Sequence, residues 1–185
     1  KYKVLVIPVQ FSDTTMVDTE FFNTKAQDYY FGNNPNSMAS FYKHASMGRF
    51  QLSGEVTPII TVDHDLKFYG EAVTGNNDRN ARGLVVDTLE KLKTLQSDKA
   101  WWSEFDNWDV NDYDNDKNFH EPDGFIDAVV LVYAGKDQAS CQRSFDADGK
   151  IDQVSPAVFA GRHFQDAQAE HFGDLLGATH HRLAG

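Results

Sequence analysis

Residues 2–11, YKVLVIPVQF, and residues 125–134, FIDAVVLVYA, decide the fold. Each is a short run rich in Val, Ile and Leu. Strands of this kind are covered on both faces, whereas a half-exposed strand would alternate apolar and polar residues. Ser12-Asp13 closes the first run and Gly135 the second. Pro8 lacks an N–H and is expected at an edge or a bulge. Working outward, Gly32-Asn33-Asn34-Pro35-Asn36 is a turn cluster that ends the ambiguous aromatic stretch 21–31. Ser37 can cap a helix through about Ser46, with Met38, Phe41, Tyr42 and Ala45 along one stripe and Gly48 as its C-cap. Residues 49–56 and 58–62 read as short strands. Asp78 can cap a helix over 79–96 whose stripe is Leu84, Val85, Leu89, Leu92 and Leu95. A last helix is expected over 160–176. The order of strand, helix, strands, helix, acidic loop, strand and helix predicts an α/β or α+β domain with a mixed sheet. Trp101, Trp102 and Trp108 are expected to pin the acidic loop to the body.

The composition excludes several functions. No apolar run approaches the roughly 18 residues of a membrane span. Asp and Glu outnumber Lys and Arg 28 to 17, for a net charge of −11. Nucleic acid and anionic membranes are repelled by such a surface, while cations are attracted. Cys141 is the sole cysteine, so no internal disulfide can form, and no Cys-His signature surrounds it. No signal peptide opens the chain, and Lys1-Tyr2-Lys3 leads straight into a strand. The chain is therefore expected to be either cytosolic or a piece of a longer protein.

Residues 109–127, DVNDYDNDKNFHEPDGFID, form the acidic loop. Counted from Asp112, acidic side chains fall at positions 1, 3 and 5 (Asp112, Asp114, Asp116), with Asn118 at 7 and Asp123 at 12. Alternate residues of an EF-hand loop direct oxygens onto one Ca²⁺ ion at this spacing. Lys117 stands where that loop has glycine, Asp123 is shorter than the usual Glu, and no amphipathic helices flank the loop. A structural Ca²⁺ site on a loop leading into a strand is the expectation, against a solvated acidic loop. The stretch 146–152, DADGKID, is a shorter echo that reads equally as a turn. His120 occupies position 9, where a contact is commonly through water.

Four of the seven histidines, His163, His171, His180 and His181, lie near the C-terminus. On a helix Glu170 and Asp174 share a face, and His171 lies near it. Gly177 lets His180 or His181 approach. Imidazoles with carboxylates suit a transition metal, although no H-E-x-x-H is present.

Three stretches together resemble the immune inhibitor A family of secreted bacterial zinc metallopeptidases: VLVIPVQFSD (4–13), SFYKHASMGRFQLSGEV (40–56) and DYDNDKNFHEPDGFIDAVVLVYAG (112–135). The resemblance covers residues 1–138. It implies a zincin-like domain with a twisted sheet, a backing helix and a C-terminal active-site helix. Residues 1–185 would form one catalytic domain, incomplete at its C-terminus. It also implies a secreted, monomeric endopeptidase that acts on proteins or peptides and uses Zn²⁺ beside Ca²⁺.

The family's zinc motif is similar to H-E-F-G-H-x-L-G, and the stretch 169–177, AEHFGDLLG, departs from it. Phe172, Gly173, Leu176 and Gly177 match. Glu170 stands at the first histidine, His171 at the glutamate and Asp174 at the second histidine, with His180 at a third-ligand position. Three readings stand. The chain could be an inactive relative that serves as a Ca²⁺-binding adhesion or carbohydrate-binding module. It could hold zinc through His171, Asp174 and His180, with Glu170 as base. Or the C-terminal stretch could be imperfectly assigned.

Overall fold

The computed structural model describes residues 2–71 and 79–135. In chain order the elements are β1 (Tyr2–Gln10), α1 (Thr19–Thr24), α2 (Ala26–Phe31), α3 (Met38–Ala45), β2 (Leu52–Val56), β3 (Ile60–Thr61), α4 (Leu66–Gly70), α5 (Ala81–Leu95), α6 (Lys99–Ser103) and β4 (Val129–Tyr133). They make a helix-flanked four-stranded sheet in which β1 pairs with each of the other strands. This is the expected α/β body. Every pairing among the described strands is parallel, so the described part of the sheet is parallel. The connections explain it. Helices α1 to α3 carry the chain from β1 to β2, and α4 to α6 carry it from β3 to β4. Such crossovers return each strand in the same direction.

Pro8 lies inside β1, away from either end of the strand. Tyr2 N–H donates to Gln51, Val6 C=O accepts from Thr57 N–H and Gln10 C=O accepts from Val62 N–H. Even-numbered residues of β1 therefore face β2 and β3, while Leu5 N–H and Val9 C=O face the β4 side through Ala128 and Ala134. β2 pairs with residues 2–6 and β3 with 9–10, as two pieces along one edge. Pro8 falls opposite the break between them, where no N–H is required.

Residues on opposite faces of β1 enter separate cores. Leu5, Ile7, Val9 and Phe11 pack with Leu84, Val85, Leu89 and Leu92 of α5 and with Tyr69, Trp102 and Phe105. Each such side chain stabilises the fold by about 1.5–3 kcal/mol when fully buried. Val4, Val6 and Ala128 face Tyr30 and Phe31 of α2. Gly54 makes that second contact possible. A Cβ there would lie 2.4 Å from Phe31 Cζ and 2.1 Å from Val4 O.

Several expected boundaries move. Asn80, whose Oδ1 accepts from Gly83 N–H at 3.2 Å, caps the long helix, which begins at Ala81. Arg79 stays outside the helix and bonds Glu71 at 3.0 Å. Asp78 lies outside the described residues. Leu95 is 71% exposed. Successive steps of three residues rotate about 60° off one face, so Leu95 leaves the stripe that ends at Leu92. The ambiguous stretch 21–31 holds most of two short helices. Ser37 caps α3 as expected, by accepting from Ser40 N–H at 3.1 Å. The apolar stripe of α3 is nevertheless largely uncovered, and Phe41 is 65% exposed. β4 begins at Val129, later than the sequence pattern indicates. At Asp127 the backbone N–H leaves the β1 ladder and donates to Phe105 O, just past α6, at 2.9 Å. Trp102 is fully buried within α6, and its indole donates to Gln96 O at 2.7 Å.

Candidate metal loop

The acidic loop leaves α6 and returns into β4, and its two legs are joined at the base. Asp106 is 5% exposed. Its two carboxylate oxygens accept from Asp123 N–H and Gly124 N–H, each at 2.9 Å. Asp127 accepts from Asn107 N–H at 3.0 Å. Tyr2 donates to Asp127 O at 3.2 Å. Above this stem, Trp108 packs its ring 4.2 Å from that of His120. Its indole N–H is buried without a partner among the described residues.

The tip is built from side chains that accept from the backbone of their own loop. Asp109 is 3% exposed and accepts from Asn111 and Tyr113 N–H. Asp112 accepts from Lys117 N–H, Asp114 from Asp116 N–H, Asp116 from Asn118 N–H, and Asn118 from His120 N–H. Each bond turns a carboxylate or amide inward and bends the chain. Asp112, Asn115 and Lys117 have positive φ values, of 51°, 60° and 69°. Lys117 thus takes the left-handed conformation that an EF-hand loop gives to glycine at that position.

Two groups of ligand oxygens result, each with its atoms within 4.8 Å of one another. One is Asp112, Asp114 and Asp116, the alternate residues singled out by spacing. The other is Asp109, Asp114 and Glu121, which shares Asp114. Asp123 belongs to neither. Asn118 Nδ2 donates to Glu121 at 2.8 Å, and Asp123 Oδ1 accepts from Phe125 N–H at 2.9 Å. The two groups consist wholly of carboxylates, a donor set that suits a hard cation such as Ca²⁺ and not zinc. Asp109 precedes the one-to-twelve count and Glu121 falls at position 10, which is not a ligand position of that loop, so spacing alone does not find them.

In the stem, burial disfavours the charged form of the carboxylates. Burial pushes Asp127 up to about 7, with Asp106 and Asp123 adding repulsion. Burial likewise raises Asp123 to about 6, assisted by Asp106 and Asp109. Asp106 is also raised by burial, although the two N–H groups it accepts pull in the opposite direction.

Ser37, His44 and His64 have structural partners. Ser37 Oγ is buried and donates to Gly32 O at 2.6 Å. His44 Nδ1 lies 2.8 Å from Ser40 O, and His64 stacks on Phe68 at 3.8 Å. Glu170, His171, Asp174, His180, Cys141 and the stretch 146–152 lie outside the described residues.

A helix-flanked parallel sheet with an acidic loop feeding β4 fits a zincin-like metallopeptidase domain. Residues 1–163 match the family described as Immune inhibitor A peptidase M6, catalytic domain. The chain belongs to that family. It is 28% identical over 161 residues to Immune inhibitor A of Bacillus thuringiensis subsp. alesti, covering 75% of this chain and 23% of the relative. It is 33% identical over 104 residues to the pre-pro-metalloprotease PrtV of Vibrio cholerae serotype O1 (strain M66-2), covering 56% of this chain and 11% of the relative. The chain thus spans under a quarter of the length of either relative. The family match ends before Glu170.

Proposed function

We propose that residues 1–185 form the catalytic domain of a secreted, zinc-dependent and calcium-stabilised endopeptidase that acts on proteins or peptides as a monomer. The observation that carries this reading is the family match across the described sheet and acidic loop. Calcium is assigned to the tip, with Asp112, Asp114 and Asp116 as ligands. Asn118 and Asp123 complete the proposed set, and Asp109 and Glu121 are the alternative partners of Asp114. Secretion is inferred from the family resemblance and agrees with calcium use and the acidic surface.

Zinc, when bound, supplies a Lewis acid and lowers the pKa of a water molecule. Its proposed ligands are His171, Asp174 and His180, whose imidazole and carboxylate donors suit the metal. Glu170 is assigned as the base that takes a proton from water as a peptide carbonyl is attacked. Adjacent helical residues point about 100° apart, so exchanging His and Glu turns this base away from where the family motif puts it. Cleavage is therefore expected to be weak.

The test joins anomalous scattering at the zinc edge with casein cleavage by the intact chain. Glu170→Gln should lower the residual rate about 10²-fold or more while leaving zinc bound. A chain that binds calcium, binds no zinc near His180 and cleaves nothing would be a calcium-binding module instead. Robust zinc-dependent cleavage would overturn the expectation of impairment.

A further inference from the structure

The base of the acidic loop is held differently from its tip. The hydrogen bonds that tie Asp123, Gly124 and Asp127 across the loop come from groups outside the tip: the Asp106 carboxylate, Phe105 O, and Asn107 N–H acting on Asp127, while the tip touches this leg through the Tyr113 ring, 5.9 Å from that of Phe125. Immediately beyond them Ala128 O accepts from Leu5 N–H at 3.0 Å, and the β1–β4 pairing begins with Leu5 opposite Val129. The returning leg is thus tied to the end of α6 one residue before it joins the sheet. The tip's own bonds, from Asp112 through His120, close within the tip.

We propose that the buried Asp106 is a positioning residue that sets β4 in place beside β1, and that the loop tip hangs from it as a separately opening unit. Asp106 is suited to this. One carboxylate accepts two consecutive backbone N–H groups, an interaction an amide side chain can satisfy only in half. Gly124, the second donor, has φ 89°, a conformation that aims its N–H where an L-residue would be strained. Aligning Asp123 and Gly124 fixes the chain four residues before Ala128, too short a span to slip by a residue without breaking the Asp127 contacts. A one-residue slip would turn Val129 and Leu131 out of the core.

The proposal does not require the calcium reading, because Asp123 enters that reading through its side chain whereas Asp106 holds its backbone N–H, and the test separates the two. Hydrogen exchange at Val129–Tyr133 is compared with exchange in α5, in the metal-free protein and with added Ca²⁺. Global stabilisation by an ion moves both segments together, whereas loosening of β4 moves their ratio. Asp106→Ala should raise exchange in β4 relative to α5 roughly tenfold, in both conditions, by removing two bonds to half-buried backbone donors. Asp106→Asn should raise it roughly threefold, because one acceptor remains. The Asn variant carries the test if the Ala variant does not fold. Removing metal should increase proteolytic cleavage within residues 109–121 and leave the ratio unchanged. Unchanged exchange in both variants would overturn the positioning role. A ratio that moves with metal as far as with Asp106→Ala would overturn the separation. If metal alters neither cleavage nor exchange, the calcium reading fails and the Asp106 arm still stands.

Discussion

The stem and the tip of one loop use the same side chain in opposite ways. In the stem, Asp106 is buried and accepts from backbone N–H groups of a distant leg. In the tip, Asp114 and Asp116 are exposed and accept from residues two positions on. A buried carboxylate with two good donors specifies one geometry, because leaving either side unpaired is costly. An exposed carboxylate in a local turn specifies little beyond that turn, since water can replace its partner. The stem therefore needs no cation to be ordered, while the tip gathers charge that a cation would neutralise. Carboxylate count alone does not distinguish a clasp from a candidate ion site. The sequence distance to the donor does, whereas burial alone does not, since Asp109 is buried and yet belongs to one of the oxygen groups.

The largest effect should come from the ion. If Ca²⁺ binds the folded tip only, an ion concentration a hundred times Kd adds about 2.7 kcal/mol. Removing calcium should lower the melting temperature and open residues 109–121 to protease, and Asp114→Ala, which touches both oxygen groups, should mimic it. A melting temperature and cleavage pattern indifferent to chelator at low ionic strength would remove the ion from the tip. Next comes the clasp. Asp106→Ala leaves two N–H groups without their acceptor and should cost about 2 kcal/mol in chemical denaturation, less whatever repulsion it relieves at Asp123 and Asp127. A cost under about 0.5 kcal/mol, the level of an ordinary surface substitution, would place the clasp on the tip's side of the comparison.

The sequence made the sheet and the tip legible for a common reason: both are local patterns. Apolar runs announce β1 and β4, and alternation announces Asp112, Asp114 and Asp116. What it hid depends on contacts between distant residues. Pro8 was read as an edge signal because the break between β2 and β3 is invisible in β1 itself. Asp106 and Asp127 carry no motif, since their meaning lies in donors some twenty residues away or in the opposite leg. Asp78 and Asn80 are comparable caps by propensity, and a tertiary contact, Arg79 with Glu71, accompanies the choice of Asn80. The zinc stretch rests on the resemblance alone.

A third test asks whether burial of the stem's carboxylates is felt as pH dependence. The folded pKa values of Asp127, about 7, and Asp123, about 6, lie above those of an unfolded Asp near 3.9. The folded metal-free state then holds protons more tightly than the unfolded state. This contribution is fully present below about pH 4 and is lost as pH rises through 6 and 7. The groups facing these two acids, Asp106 and Asp109, are themselves acidic, so nothing nearby reverses the sign. Discounted for partial solvent exposure, the loss should be about 1 kcal/mol between pH 5 and pH 7.5. Melting of protein desalted free of metal should show it, and calcium should shrink only the part due to Asp123, a proposed ligand. A metal-free profile that is flat, or that rises with pH, would contradict the raised pKa values of the buried stem acids.

The smallest effect sharpens the tip's side of the comparison. Lys117 has a φ of 69°, where its Cβ crowds the following carbonyl oxygen. Its side chain is exposed, and no described contact depends on it. What holds the conformation is the bond from its N–H to Asp112 at 3.0 Å, which a glycine can also make. Lys117→Gly therefore removes strain worth about 1 kcal/mol, while glycine's greater freedom in the unfolded chain offsets part of that. Loss of one positive charge among carboxylates opposes the gain in metal-free protein. It favours the gain when calcium is present, because the lysine no longer competes with the ion. The expected outcome is a net change within about 0.5 kcal/mol of zero without metal, together with tighter calcium binding by about twofold to threefold, measured by titration calorimetry. Weaker calcium binding in the glycine variant would mean that the left-handed turn at 117 is not part of the ion's cradle. The tip would then be a set of surface turns that happens to be acidic.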